Sequence, residues 1–182
     1  MAVIRAFYSI EGHISILQCL RFNAGLSRVL DLPARLDYDS VMDIRPLSPT
    51  YAVSPQIAPE DVAAIAAAGY TTIICNRPDS EVPPALQAAA LGAAAQAAGL
   101  AFVTIPVTHQ TLNADMVTAQ RAAMDASNGP VLAYCASGTR SSIVWSLGQA
   151  GEMSANDILS ATAEAGYDLG GMRPQLEALS RS

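Results

Sequence analysis

The chain contains no lysine; all ten of its basic residues are arginines, set against sixteen acidic residues for a net charge of −6. It has no basic surface to match a phosphate backbone, so nucleic acid is not an expected partner. Aromatic residues are scarce, at 5%, which points to a core of small-residue helices packed on a β-branched sheet. Cysteine occurs three times, as Cys19, Cys75 and Cys135. That odd number, with no metal-ligand spacing, argues against a secreted disulfide framework and gives no metal site; a reducing, cytoplasmic setting is expected. No stretch stays apolar long enough to span a bilayer, because glycine, glutamine or proline breaks each alanine-rich run, and no membrane contact is expected. Behind Arg5, Glu11 and His13 interrupt the apolar core that a leader peptide would need.

What is present is an alternation. The 182 residues, 51% of them hydrophobic, suffice for one domain with a full core. From Met42 onward, β-branched runs alternate with helix-period segments, most of them stopped by glycine. Strands are expected at 50–54, 70–75, 100–107 and 130–135. Helices are expected from about Pro59 to Ala68, Pro83 to Ala98, Asn113 to Ala126, 141 to 150, 155 to 165 and 172 to 180, with Ser154 as an N-cap and Ala58 as a weak one. Each strand–helix–strand unit implies a right-handed parallel crossover. The expected fold is α/β, a mostly parallel central sheet of four to five strands flanked by helices. Residues 1–41 break the rhythm and are expected to be an N-terminal appendage, disordered, loosely helical or upstream of a true start at Met42, with the domain at 42–182.

In an open parallel sheet, sites form outside the carboxyl ends of the strands. Cys135 ends the run "VLAYC" at such a place, and Ala136, Ser137, Gly138 and Thr139 follow it. Residues this small let their amides curl around an anion, and the helix starting near Ser141 directs its positive end to the same point. Arg140 supplies a planar fork for an oxyanion. These effects predict a thiol pKa below the free value of about 8.5. Ser141 and Ser142 are expected to cap the helix, with either hydroxyl able to donate to the thiolate. Nearby, "CNRPDSE" offers Arg77 and Asp79 as substrate contacts, as a group orienting Arg140 or as an acid, against a plain turn role. "IPVTHQTLNAD" offers His109 as an acid; Asp115 falls inside the next helix. Cys75 ends the neighbouring strand and is a candidate resolving thiol for an oxidised Cys135, or a buried hydrophobe.

The motif "CASGTRS" resembles the C-x-x-G-x-R-S loop of rhodanese-type sulfurtransferases, with four residues between Cys135 and Arg140; tyrosine and dual-specificity phosphatase loops are one residue longer. "TIICNRPDSE", "FVTIPVTH", "YCASGTRSS" and "AGYDLGGMRPQLEAL" resemble the phosphatase-like domain attached to beta-lactamase-hydrolase-like proteins. That resemblance implies a phosphatase-like fold with the cysteine loop between central strand and helix, and either a phosphatase or a sulfur transferase activity.

The short loop leaves less room above the sulfur for a tetrahedral phosphoryl group than for a persulfide. The expected function is therefore a sulfurtransferase that passes sulfane sulfur through a Cys135 persulfide. It would take a small anionic or persulfide substrate, a thiol acceptor and a persulfide-oxidising enzyme as partners, and no cofactor. The alternative is phosphate monoester hydrolysis through a phosphocysteine, with His109 or Asp79 as acid. A third reading is a non-catalytic redox or anion-binding module.

Overall fold

The computed structural model describes residues 42–108 and 110–181. The expected N-terminal appendage, Cys19 and His109 all lie outside the described residues. Among the described residues a five-stranded sheet runs in the order β1-β2-β5-β3-β4. The strands are β1 (Arg45–Ser48), β2 (Tyr51–Ser54), β3 (Thr72–Cys75), β4 (Ala101–Thr104) and β5 (Val131–Tyr134). β5 lies between β2 and β3, parallel to both, and β3 pairs parallel with β4. Only β1 is antiparallel, to β2.

β1 is the element the sequence pattern does not suggest. It is short, carries Pro46, and its register slips between Pro46 and Ser48. Proline cannot donate to a sheet ladder and is tolerated on an edge strand or at a bulge, and β1 combines both.

Among the described residues six α-helices flank the sheet: α1 (Val62–Ala67), α2 (Ala88–Ala97), α3 (Ala114–Asp125), α4 (Thr139–Gln149), α5 (Ala155–Glu164) and α6 (Arg173–Leu179). Where sequence and structure differ, the difference lies at helix starts. Pro59–Asp61 and Pro84–Leu86 are 3-10 turns, since a proline near the start supplies no N–H to the first turn. The weak Ala58 terminus is reinforced from inside, where Asp61 accepts the Ala58 N–H at 2.7 Å. Asn113 and Ser154 cap α3 and α5 as expected for their residue types, accepting from Met116 N–H and Asp157 N–H. None of the helices among the described residues is long and apolar enough to cross a membrane.

Strand alternation divides the core into two layers. Val53, Ile74, Val131 and Ala133 face one side, toward Trp145, Ile158 and Leu176; Ala52, Ile73, Cys75, Leu132 and Tyr134 face the other, toward Val62, Ile65 and Leu91. All four residues of β2, of β3 and of β5 are buried. Each fully buried Ile or Leu here contributes roughly 1.5–3 kcal/mol, so the segment carrying Cys135 emerges from the most firmly held part of the sheet.

Candidate active site

β5 stops at Tyr134, and the chain turns through Cys135–Gly138 into α4. Gly138 is the N-cap of α4, with φ of 87°, a left-handed conformation that glycine adopts without the Cβ penalty. A second reason for glycine is space: a Cβ on Gly138 would overlap the Tyr167 hydroxyl and lie 2.8 Å from Tyr167 Cζ. The turn brings the Gly138 N–H to 3.2 Å from the Cys135 sulfur.

Cys135 is buried, and burial works against its charged form. The backbone N–H groups of Ser141, Ser137, Arg140 and Gly138 outweigh burial, and the thiol's pKa falls below its ordinary value. Four backbone amides thus converge on the sulfur at the positive end of α4, as a nest. Three loop carbonyls are held by partners outside the nest: Ala136 C=O by the Gln56 N–H at 3.4 Å, Ser137 C=O by the Tyr167 hydroxyl at 3.1 Å, and Gly138 C=O by the N–H and hydroxyl of Ser142 at 2.9 and 3.0 Å. Ser142 is thereby committed to the helix. Ser141 keeps a buried hydroxyl with no hydrogen-bond partner among the described residues.

Arg140 is not loose. Its Nη1 donates to Glu81 Oε1 at 2.8 Å and to the Val107 carbonyl at 2.6 Å, and its Nη2 donates to Glu81 Oε2 at 2.6 Å. Of the five guanidinium N–H groups, Glu81 and Val107 leave the Nε–H and one Nη2–H, which share an edge of the fork, and the Arg140 side chain also hydrogen-bonds to the Cys135 sulfur. Glu81, followed by the nearby Cys135 thiolate, holds the Arg140 pKa above its ordinary value. A two-pronged edge beside a sulfur anion is suited to bidentate contact with an oxyanion.

Glu81 is the site residue that reasoning from the sequence misses, although it stands inside the "CNRPDSE" turn. It also takes Arg77, whose Nε lies 3.1 Å from Glu81 Oε2 and whose Nη2 donates to the Glu81 carbonyl at 3.1 Å. Arg77 thus contacts the same Glu81 that holds Arg140. An i,i+4 Arg–Glu spacing was the available signal.

Asp79 differs from its expected role as acid or substrate contact: its carboxylate accepts the Ala88 N–H at 2.8 Å and so caps α2, and its carbonyl accepts from Gln87. Asp115 is exposed in the first turn of α3. Cys75 is directed into the α1–α2 layer with Tyr134, and its thiol donates to the Arg77 carbonyl at 3.3 Å. Burial pushes its pKa up. Since Cys75 is in register with Tyr134, alternation sends its side chain away from the nest around Cys135, which corrects the resolving-thiol expectation: a disulfide would require a side chain to change faces.

Beneath the nest lies a buried polar chain. The Asn76 amide donates to the Ile105 carbonyl at 3.1 Å and to Gln120 at 2.9 Å; Gln120 donates to the Tyr51 hydroxyl at 2.8 Å, and Tyr51 donates to the Ser141 carbonyl at 3.4 Å. Burial, then the Cys135 thiolate, push the Tyr51 phenol well up, so it stays a neutral donor. This chain ties β2, β3, α3 and α4 together directly below the site. Above the loop is a pocket of about 490 Å³, lined by Glu81, Thr108 and Gln110 together with Ala136, Ser137, Thr139 and Arg140. No group of three or more His, Cys, Asp or Glu side chains among the described residues could hold a metal ion.

A central parallel strand ending in a thiolate nest, with an arginine fork at the start of the next helix, defines a phosphatase-like α/β domain. The chain belongs to the phosphatase-like domain family of beta-lactamase hydrolase-like proteins, whose model matches residues 43–152. It is 35% identical over 122 residues to a beta-lactamase hydrolase-like protein of Agrobacterium fabrum, covering 66% of this chain and 28% of that one. It is 32% identical over 131 residues to one of Xylella fastidiosa, covering 71% and 30%. The chain thus spans less than a third of the length of these curated relatives. Among solved structures it is similar to a candidate phosphatase from Neisseria meningitidis, at a TM-score of 0.67 and 34% identity over 76% of this chain and 99% of that one. It also shares the fold, at a TM-score of 0.55 and 13% identity, of the core catalytic domain of the PP-IP phosphatase SIW14 from S. cerevisiae, over 76% of this chain and 89% of that one.

Proposed function

We propose that the domain hydrolyses phosphate monoesters through a phosphocysteine. The observation that carries this reading is the two-donor edge of Arg140 left beside the Cys135 thiolate after Glu81 and Val107 have taken the other three N–H groups. In this mechanism the thiolate attacks phosphorus while the edge of Arg140 and the loop amides hold the phosphoryl oxygens. The P–O ester bond breaks, and the leaving alkoxide takes a proton from a general acid. Water then attacks the phosphocysteine, giving a proton to the deprotonated general acid as the P–S bond breaks, which releases inorganic phosphate and restores both the acid and the thiolate.

The Asp79 carboxylate accepts the Ala88 N–H, Asp115 lies in the first turn of α3, and Glu81 pairs with Arg77 and Arg140. His109 is the remaining candidate acid from the sequence; its chain neighbours Thr108 and Gln110 both line the pocket. The buried Ser141 hydroxyl is the candidate donor to the sulfur as the phosphocysteine breaks down.

Sulfur transfer through a Cys135 persulfide is the second reading, favoured by the loop of four residues between Cys135 and Arg140. The family is described as a phosphatase-like domain and the Neisseria meningitidis structure as a candidate phosphatase, which favours the hydrolase over loop length alone. Paired assays on one preparation decide between them: p-nitrophenyl phosphate hydrolysis, and sulfur transfer from thiosulfate to cyanide. The hydrolase reading expects the first, abolished in Cys135→Ser, with a phosphorylated Cys135 peptide after acid quench. Cys135-dependent sulfur transfer without phosphate release would overturn it.

A further inference from the structure

We propose that Tyr167 is a positioning residue for the cysteine loop: its hydroxyl, bonded to the Ser137 carbonyl, fixes the peptide whose other end, the Gly138 N–H, points at the Cys135 sulfur. The two observations concern one peptide unit. Tyr167 Oη donates to Ser137 O at 3.1 Å, and Gly138 N donates to Cys135 Sγ at 3.2 Å. In a trans peptide the C=O and N–H point in opposite directions, so holding the carbonyl outward aims the amide inward. If that unit turned over, a carbonyl oxygen would face the thiolate in place of a donor.

This peptide needs an external hold. Gly138, at φ 87°, imposes little steric preference of its own. Tyr167 follows α5, is only 5% exposed, and packs against Gly138 so closely that no Cβ fits between them. Arg45 on β1 lies 5.2 Å from the Tyr167 ring centroid and is itself fixed by Asp43 and the Ala165 carbonyl. A cation over the ring strengthens the phenol as a donor. Burial, only partly opposed by Arg45, keeps the phenol's pKa above its ordinary value, so the hydroxyl remains a donor across the neutral range. The hold therefore runs from the antiparallel edge strand to the reacting sulfur. Among the described residues, ionisable side chains that interact electrostatically with that sulfur include Arg140, Tyr51 and Tyr167.

The test is an ultraviolet thiolate titration of Cys135, taken as the difference from Cys135→Ser, in wild type, Tyr167→Phe and Tyr167→Leu. Tyr167→Phe keeps the ring and removes the hydroxyl. Losing one well-aimed donor should raise the Cys135 pKa by roughly half a unit to one unit, with thermal unfolding little changed. The acid limb of the activity profile should move up with it. A Tyr167→Phe titration superimposable on wild type, with a shift only in Tyr167→Leu, would show that the residue merely packs and would overturn the proposal. Should Tyr167→Phe fail to fold, Arg45→Gln is read in its place: a smaller shift in the same direction supports the proposal, and no shift overturns it. The titration needs no turnover, so its outcome stands apart from the hydrolase reading.

Discussion

Replacing Glu81 by glutamine separates holding Arg140 from holding the fold. The substitution is nearly isosteric, but of the two carboxylate oxygens that meet Nη1 and Nη2 at 2.8 and 2.6 Å it leaves one acceptor and one N–H that repels the fork. A hydrogen bond to a charged partner contributes about 1.5–3 kcal/mol when buried. Here the Arg140 and Glu81 side chains are 12% and 33% exposed, and solvent screening brings the expected loss of stability to about 1 kcal/mol. The effect on catalysis should be larger, because the unused edge is aimed by the bonds on the used one, and misplacement by about 1 Å costs on the order of 100-fold. A fall in kcat of roughly 10- to 100-fold is therefore expected, equivalent to about 1.4–2.7 kcal/mol. KM should fall or stay level, since removing a carboxylate beside the site strengthens attraction for an anionic substrate. Added salt should erase that gain. Arg77→Gln, which loosens Glu81 from the far side, should shift kcat in the same direction but less. Steady-state kinetics with denaturant unfolding on the same samples provides both readouts. Wild-type kcat in Glu81→Gln, or a loss fully explained by unfolding, would refute the reasoning.

Three further perturbations follow from the same geometry. Thiolate titration should show one group, lost in Cys135→Ser, ionising below the ordinary thiol range, and another, lost in Cys75→Ser, ionising above it. Because the folded pKa of Cys135 lies below the unfolded one, its thiolate adds stability that is fully present above the unfolded pKa and disappears as pH falls through the folded value. The pH-dependent part of the stability difference between wild type and Cys135→Ser should shrink on that descent, and a difference flat in pH would be inconsistent with the nest. Gly138→Ala places a side chain at φ 87° against Tyr167; about 1–2 kcal/mol of backbone cost plus displacement of the ring should lower the midpoint of calorimetric unfolding by roughly 5–15 °C. Asp79→Ala removes a cap on α2 and should cost about 1 kcal/mol in unfolding experiments while leaving turnover near wild type; a large fall in kcat would instead return Asp79 to the chemistry.

The sheet and the nucleophile were readable because both follow from local pattern. Runs such as "TTIIC" and "VLAYC" are buried on both faces, and a strand closing on cysteine, small residues and arginine places its thiol at the mouth of a parallel sheet whatever the surrounding sequence. β1 was not readable, since an edge strand reading Arg-Pro-Leu-Ser carries a proline and lacks the β-branched pattern of the inner strands. Asp79 looked like chemistry because a carboxylate in a loop beside a strand end can serve either as acid or as cap; its hydrogen bond to Ala88, nine residues on, is the cap interaction.

The residues that were hidden share one feature: they act on the site through a carbonyl or through another side chain. The loop pattern specifies small residues so that amides can turn inward, but every inward N–H sends a carbonyl outward, and the sequence does not record what receives it. Ser137 finds its partner 30 residues later at Tyr167, and Ala136 finds its partner 80 residues earlier at Gln56. Arg140 is likewise a fork whose aim depends on Glu81, 59 positions away. The shape of the nest is therefore set by those distant partners as well as by the count from Cys135 to Arg140, and loop length, which read in isolation favours sulfur transfer, does not by itself decide against the proposed hydrolysis of a phosphate ester.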